Sequence, residues 1–156
     1  MGIAGTSLII WLPTRTKGLK RIAELAKLSR NEKFYDLGCG NGKVVFYMAK
    51  EIGARTVGIE LAWPLFLFCL VKQKILGYNN CRFELKNIFN HDFRDGDVIY
   101  VFGIPDKLKN KLKPIFELKP KPGRRIISYA FAIEGWTPTL IDKPTPDSAT
   151  IFIYEK

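Results

Sequence analysis

Residues 34 to 42 read Phe34-Tyr35-Asp36-Leu37-Gly38-Cys39-Gly40-Asn41-Gly42, an apolar strand end and a carboxylate followed by glycines on alternate positions. Glycines so spaced let the backbone turn tightly and come close to a ligand, and a helix starting behind them presents unpaired N–H groups. Asp36 decides which ligand suits the turn. A dinucleotide fingerprint sets pyrophosphate here, and a carboxylate two residues before the first glycine repels it. The spacing is G-x-G-x-G, with Lys43 where a dinucleotide loop has its third glycine. Leu37 and Val44 stand at the Gly and Ser/Thr positions of a Walker A loop, so both phosphate readings weaken together. S-adenosylmethionine, with its ammonium and sulfonium, suits a cradle that has a carboxylate at its base.

A second acid narrows the reading. Arg55-Thr56-Val57-Gly58-Ile59-Glu60 has the β-branched content of a short strand and ends in a carboxylate, one helix downstream of the glycine loop. In a doubly wound sheet the carboxyl ends of neighbouring parallel strands lie side by side, so Glu60 would reach the ribose hydroxyls of a nucleoside seated over the loop. The plainer alternative is a solvated acid at a strand end.

These residues need a scaffold, and 156 residues with 47% hydrophobic content supply one buried core. The expected organisation is an N-terminal apolar segment, residues 1–13, and one domain over residues 14–156. Cys39, Cys69 and Cys81 form no C-x-x-C pair and His91 is the single histidine, so reduced thiols and no metal are expected. A net charge of +10 implies an acidic partner, a membrane surface or simple solubility. Lysines concentrate from Lys107 onward, yet on a helix Lys107 and Lys111 share one face and Lys109 and Lys113 another, with Leu108, Leu112 and Phe116 inward. That is a solvated helix rather than a nucleic-acid stripe. Met1-Gly2-Ile3-Ala4-Gly5-Thr6 matches an N-acylation pattern without a second membrane signal, and Leu8-Ile9-Ile10-Trp11-Leu12 is too short to span a bilayer. The segment is the stub of a longer leader or packs on the domain. The expected location is the cytoplasm, with this apolar segment as the point of membrane association.

Periodicity predicts a helix over residues 14–28, strands at 33–37, 55–60, 82–86, 97–102 and 125–131, and helices over 42–52, 64–76 and 105–118. Gly135-Trp136-Thr137-Pro138 then turns into strands at 139–142 and 148–154, a terminal antiparallel hairpin on an otherwise parallel α/β sheet with helices on both faces. The helix from Pro64 runs Leu65-Phe66-Leu67-Phe68-Cys69-Leu70-Val71 without a polar break, which predicts an exposed apolar patch facing a membrane, an oligomer partner or the N-terminal segment.

That series resembles the Rossmann-like class I S-adenosylmethionine-dependent methyltransferase fold. Leu12-Pro13-Thr14, Tyr35-Asp36-Leu37-Gly38-Cys39-Gly40, Val57-Gly58-Ile59-Glu60-Leu61, Leu112-Lys113-Pro114 and Ile126-Ile127-Ser128-Tyr129-Ala130-Phe131 before Gly135-Trp136-Thr137-Pro138 are similar to a family of small protein-lysine methyltransferases. That family includes compact prokaryotic enzymes and mitochondrial enzymes acting on the adenine nucleotide translocase and the ATP synthase c-subunit. The resemblance covers nearly everything from Leu12 onward. It implies that Asp36, Gly38, Cys39, Gly40, Asn41 and Gly42 hold the methionine part, Glu60 and Leu61 the ribose, and Asn87, Ile88 and Phe89 the adenine. Pro13 and Thr14 would close over the methionine end, and Phe102 is a further cofactor-binding candidate that also lines the acceptor channel. Asn87 stands where the family commonly has aspartate, and Asn41 and Lys43 where it has Asp and Arg, which leaves affinity open.

The reaction so implied is an in-line methyl transfer to a neutral lysine amine, favoured by a narrow apolar channel that lowers the amine pKa. Tyr129, Asp106 and Trp136 are the acceptor-side candidates, with Ile104, Pro105, Ser128 and Phe131 nearby. For the aromatics, core packing is the alternative, and for Asp106 a first-turn acid. Gly103-Ile104-Pro105-Asp106 lacks the Asn/Asp-Pro-Pro clamp of adenine N-methylation, and no cysteine lies near it for cytosine C5 chemistry. The expected partner is a protein that presents a lysine and is itself associated with a membrane, with RNA as the alternative acceptor, a non-catalytic cofactor-binding scaffold as the third reading, and a monomer as the expected state.

Overall fold

The computed structural model describes residues 16–102, 111–118 and 121–156. Seven strands form one sheet in the order β3-β2-β1-β4-β5-β7-β6. They are β1 (Lys33–Leu37), β2 (Arg55–Glu60), β3 (Cys81–Leu85), β4 (Val98–Phe102), β5 (Arg125–Tyr129), β6 (Leu140–Asp142) and β7 (Ile151–Glu155). The first five are parallel, and β7 inserts antiparallel between β5 and β6. The inner strands are near-continuous apolar runs because both faces are covered, as in β4, where Val98 to Val101 are all buried. β1 pairs with β2 on one side and β4 on the other, so strand order reverses there and opens a crevice outside the carboxyl ends of β1 and β4.

One face carries α1 (Thr16–Ala26), α2 (Lys43–Tyr47) and α3 (Trp63–Leu76). Leu19, Ile22, Ala23 and Ala26 of α1 recur every three or four residues and pack with Phe34, Val44, Met48 and Ile127. Arg21 holds the helix to β6 through Asp142 and the Ala149 carbonyl, and Arg125 ties its end through the Ala26 carbonyl and Glu32. On the other face Leu112 and Phe116, at the short α4 (Lys113–Glu117), cover Tyr35, Ile99 and Ile126, as their spacing predicts.

The predicted boundaries move in a few places. The helix expected over 42–52 is α-helical only to Tyr47, then widens into a π-helical turn, Met48–Ile52, closed by Gly53 at φ 75°. β5 stops at Tyr129 because Ala130 takes φ 72° and its N–H donates to the Thr150 carbonyl at 2.7 Å. Of the Lys-rich helix expected over 105–118, residues 103–110 lie outside the described residues. So does the boundary expected after residue 13.

The apolar α3 behaves as its sequence predicts: Cys69 is fully buried while Trp63, Leu67 and Leu70 remain 59, 42 and 37% exposed. The expected location needs correction. Among the described residues no helix is long and apolar enough to cross a membrane, and the apolar segment of residues 1–13 lies outside them, so nothing here supplies a membrane anchor.

Candidate functional site

Gly38, Gly40 and Gly42 leave the end of β1 with φ of 84°, 56° and 72°, all in the left-handed region where a side chain is strained. The loop is held from three directions. Gly38 and Cys39 N–H donate to the Ile59 carbonyl at 2.9 and 3.0 Å, Gly40 N–H donates to Glu60 Oε2 at 2.8 Å, and Cys69 Sγ of α3 donates to the Gly40 carbonyl at 3.3 Å. A Cβ at Gly38 would meet nothing within 4 Å among the described residues, which leave open space above the turn. A Cβ at Gly42 would lie 2.9 Å from the Phe83 ring and 3.0 Å from Cys69 Sγ. Asn41 Oδ1 accepts from Lys43 N–H at 3.2 Å and steadies the start of α2.

Asp36 lies beneath this loop, 2% exposed, and its Oδ2 has no hydrogen-bond partner among the described residues. Burial, and after it the Glu60 carboxylate, pushes its pKa up to about 8. A buried carboxylate oxygen without a donor is costly and seeks a cationic or hydrogen-bonding ligand. Glu60 is differently placed. Its Oε1 accepts from Leu61 and Ala62 N–H at 2.9 and 2.8 Å while Oε2 takes the Gly40 N–H, so one carboxylate clamps the glycine loop to the end of β2. Leu61 beside it is 64% exposed. After β3, Asn87 Oδ1 accepts from Phe89 N–H at 3.0 Å and starts a 3-10 turn, Ile88–Asn90, that presents half-buried Ile88 and Phe89. Of the expected cofactor residues within the described chain, Asp36, Gly38 to Gly42, Glu60, Leu61 and Asn87 to Phe89 thus gather at the carboxyl ends of three adjacent strands, and Phe102 stands at the end of β4 on the other side of β1. Contact with the Cys69 thiol and burial push the Cys39 thiol far up, so it stays protonated and packs rather than reacts.

At the ends of β4 and β5, Phe102 meets Tyr129 edge-on at 5.6 Å and Phe131 at 6.2 Å. Ser128 Oγ donates to the Phe131 carbonyl and shapes the turn that carries Phe131. Trp136 goes elsewhere. Its ring packs on Phe116 and Tyr154, its Nε1 donates to Glu117 at 3.0 Å, and Lys156 Nζ lies 3.7 Å over it. Because Arg125, the first residue of β5, pairs with Glu155, these partners lie toward the opposite end of the sheet from the glycine loop. Trp136, expected on the acceptor side, is a packing residue in this arrangement. Pro13, Thr14, Ile104, Pro105 and Asp106 lie outside the described residues.

Two supporting residues escaped sequence reasoning. A Cβ on Gly58 would lie 2.8 Å from both Cys39 Sγ and the Phe83 ring, so the strand must be bare for the loop to pack. A lone glycine inside a strand was the available signal. Cys69 had none.

An α/β sheet of this order, with an orphaned carboxylate under a glycine loop and a second acid on the next strand, defines a class I S-adenosylmethionine-dependent methyltransferase. A solved RNA methyltransferase from Salinibacter ruber, in complex with S-adenosyl-L-homocysteine, superposes with a TM-score of 0.87 at 27% identity, covering 92% of this chain and 93% of that one. The sequence model of the ANTKMT methyltransferase domain matches residues 36–140, and the chain belongs to that family. A protein-lysine N-methyltransferase of Saccharolobus islandicus is 30% identical over 148 residues, 92% of this chain and 91% of that protein. A histone-lysine N-methyltransferase of Dictyostelium discoideum is 24% identical over 81% of this chain but only 8% of its own length. The chain is a methyltransferase that uses S-adenosylmethionine, and the site fits that cofactor through the donorless Asp36 and the open space above Gly38.

Proposed function

We propose that this chain methylates the side-chain amine of lysine in a protein. The observation that carries the reading is the aromatic wall of Phe102, Tyr129 and Phe131 at the ends of β4 and β5, one strand from the glycine loop. A lysine entering beside such rings loses water, which lowers its pKa and raises the fraction of neutral amine able to attack. S-adenosylmethionine supplies a methyl group on a positively charged sulfur, so the leaving group needs no further activation. The protein's own work is positioning. Asp36 and Glu60 fix the cofactor end, the aromatic rings orient the acceptor and exclude water, and the Tyr129 hydroxyl is the polar group proposed to steer the amine. Asp106 is the further acceptor-side proposal, from the segment after β4. The lysine acceptor also agrees with the Saccharolobus relative's activity.

RNA is the second reading, favoured by the net charge of +10 and by the named activity of the Salinibacter protein. A lysate of the source cell, incubated with the enzyme and methyl-labelled cofactor, separates the two. Protease-sensitive label that yields methyl-lysine on hydrolysis supports the proposal, and ribonuclease-sensitive label refutes it.

A further inference from the structure

β3 is an edge strand, and among the described residues no chain pairs with its outer side. Thr56 N–H donates to the Asn80 carbonyl at 2.9 Å and Lys86 N–H to the Glu60 carbonyl at 3.1 Å, so even-numbered positions turn their backbone groups toward β2. Cys81, Phe83 and Leu85 therefore turn theirs outward. The Cys81 carbonyl accepts from Gln73 Nε2 at 2.6 Å with one of its two lone pairs, so among the described residues Cys81, Phe83 and Leu85 all keep backbone groups available on the outer side.

The side chains flanking this edge differ by face. On one side Arg82 and Lys86 share Glu84, at 2.6 and 2.8 Å, with Arg82 63% exposed. On the other, Leu85 is 44% exposed beside α3. Gln73 reaching Cys81 shows which flank of α3 leans over the edge, and stepping back from it by threes and fours meets Leu70, Leu67 and Trp63, all exposed. Lys72, lying over Phe46, marks the opposite flank.

We propose that this edge is a self-association surface, on which β3 pairs antiparallel with β3 of a second copy about a two-fold axis through Phe83. The sequence is self-complementary in that register. Phe83 opposes Phe83 of the other copy as a hydrogen-bonded pair, the parity its outward N–H and C=O require. Arg82 then opposes Glu84, and Glu84 opposes Arg82, in the non-hydrogen-bonded positions where side chains come closest. A shift by two residues one way places Arg82 against Lys86 and Glu84 against Glu84, and the other way Arg82 against Arg82, so charge fixes the register. The axis also brings the Trp63, Leu67 and Leu70 flank of each α3 beside its counterpart, which covers apolar surface left bare in the single chain. A dimer replaces the monomer expected from sequence.

Sedimentation of the intact chain from low to high micromolar concentration tests this, read beside hydrogen exchange. Association should rise with concentration and selectively protect the outward Cys81, Phe83 and Leu85 amides. Arg82→Glu and Leu67→Glu, both at exposed positions, should each weaken association roughly tenfold. Their affinity for S-adenosylhomocysteine should match the wild type, which shows that the fold is intact. Mixing Arg82→Glu chains with Glu84→Arg chains should restore association, because every charged position then meets its opposite. A chain monomeric throughout the range, a dimer indifferent to Arg82→Glu, or protection confined to amides other than Cys81, Phe83 and Leu85 would overturn the proposal.

Discussion

Asp36→Asn tests whether the cofactor site stores an electrostatic penalty that the ligand relieves. Burial first and Glu60 second raise the Asp36 pKa from 3.8 to about 8. A rise of about four units, at about 1.4 kcal/mol each, makes the ionised side chain about 6 kcal/mol more costly folded than unfolded, an upper bound because water and local relaxation soften it. The fold favours the protonated form. Its contribution to stability is therefore complete below pH 3.8, erodes as pH rises, and is gone above about 8. For a domain whose total stability is about 5–15 kcal/mol, that loss is readily measured. Urea unfolding of wild type and Asp36→Asn, run from about pH 5 to about pH 9, should show wild type losing up to about 1.4 kcal/mol per unit relative to the variant until the Asp36 pKa is passed. Taking the difference between the two chains removes His91 and the surface acids from the comparison. Binding runs the linkage the other way. The ammonium of S-adenosylhomocysteine, placed beside Asp36, should expel its proton, and calorimetry in buffers of different ionisation enthalpy should count nearly one proton near neutral pH and none for Asp36→Asn. A stability difference independent of pH, or tight binding by wild type without proton release, refutes the reasoning.

Glu60→Ala leaves the Gly40, Leu61 and Ala62 N–H groups without their acceptor and should lower cofactor affinity by well over about tenfold in calorimetry, from loop disorder as well as lost contact. Gly58→Ala forces a methyl to 2.8 Å from Cys39 Sγ and the Phe83 ring, so it should cost about 1–3 kcal/mol in urea unfolding and weaken cofactor binding, because Cys39 belongs to the loop. Trp136→Ala should destabilise by about 3 kcal/mol through its lost packing on Phe116 and Tyr154, with cofactor affinity unchanged. Tyr129→Phe should lower methyl transfer at unchanged cofactor affinity, and an equal fall in both would make it a packing residue.

The parts of this molecule legible in its sequence are those governed by local pattern. β1 and β2 fall at the predicted residues because alternating constraints meet there: apolar runs buried on both faces, a glycine turn at one end and a carboxylate at the other. Asp36 and Glu60 were visible as a pair, but their division of labour was not. Glu60 is spent largely on backbone N–H groups and Asp36 on none, a distinction made by loop geometry that residue spacing does not encode. Trp136 shows the converse. Its motif placed it beside the acceptor, whereas the antiparallel β7 carries Tyr154 and Lys156 down to meet it, so its environment is set by a strand that follows it in the chain. Cys69 is the extreme case: a thiol in an apolar helix, silent in sequence, becomes the donor that holds the Gly40 carbonyl once α3 packs against the loop. Through it, the helix whose exposed flank leans over the edge of the sheet also supports the cofactor cradle.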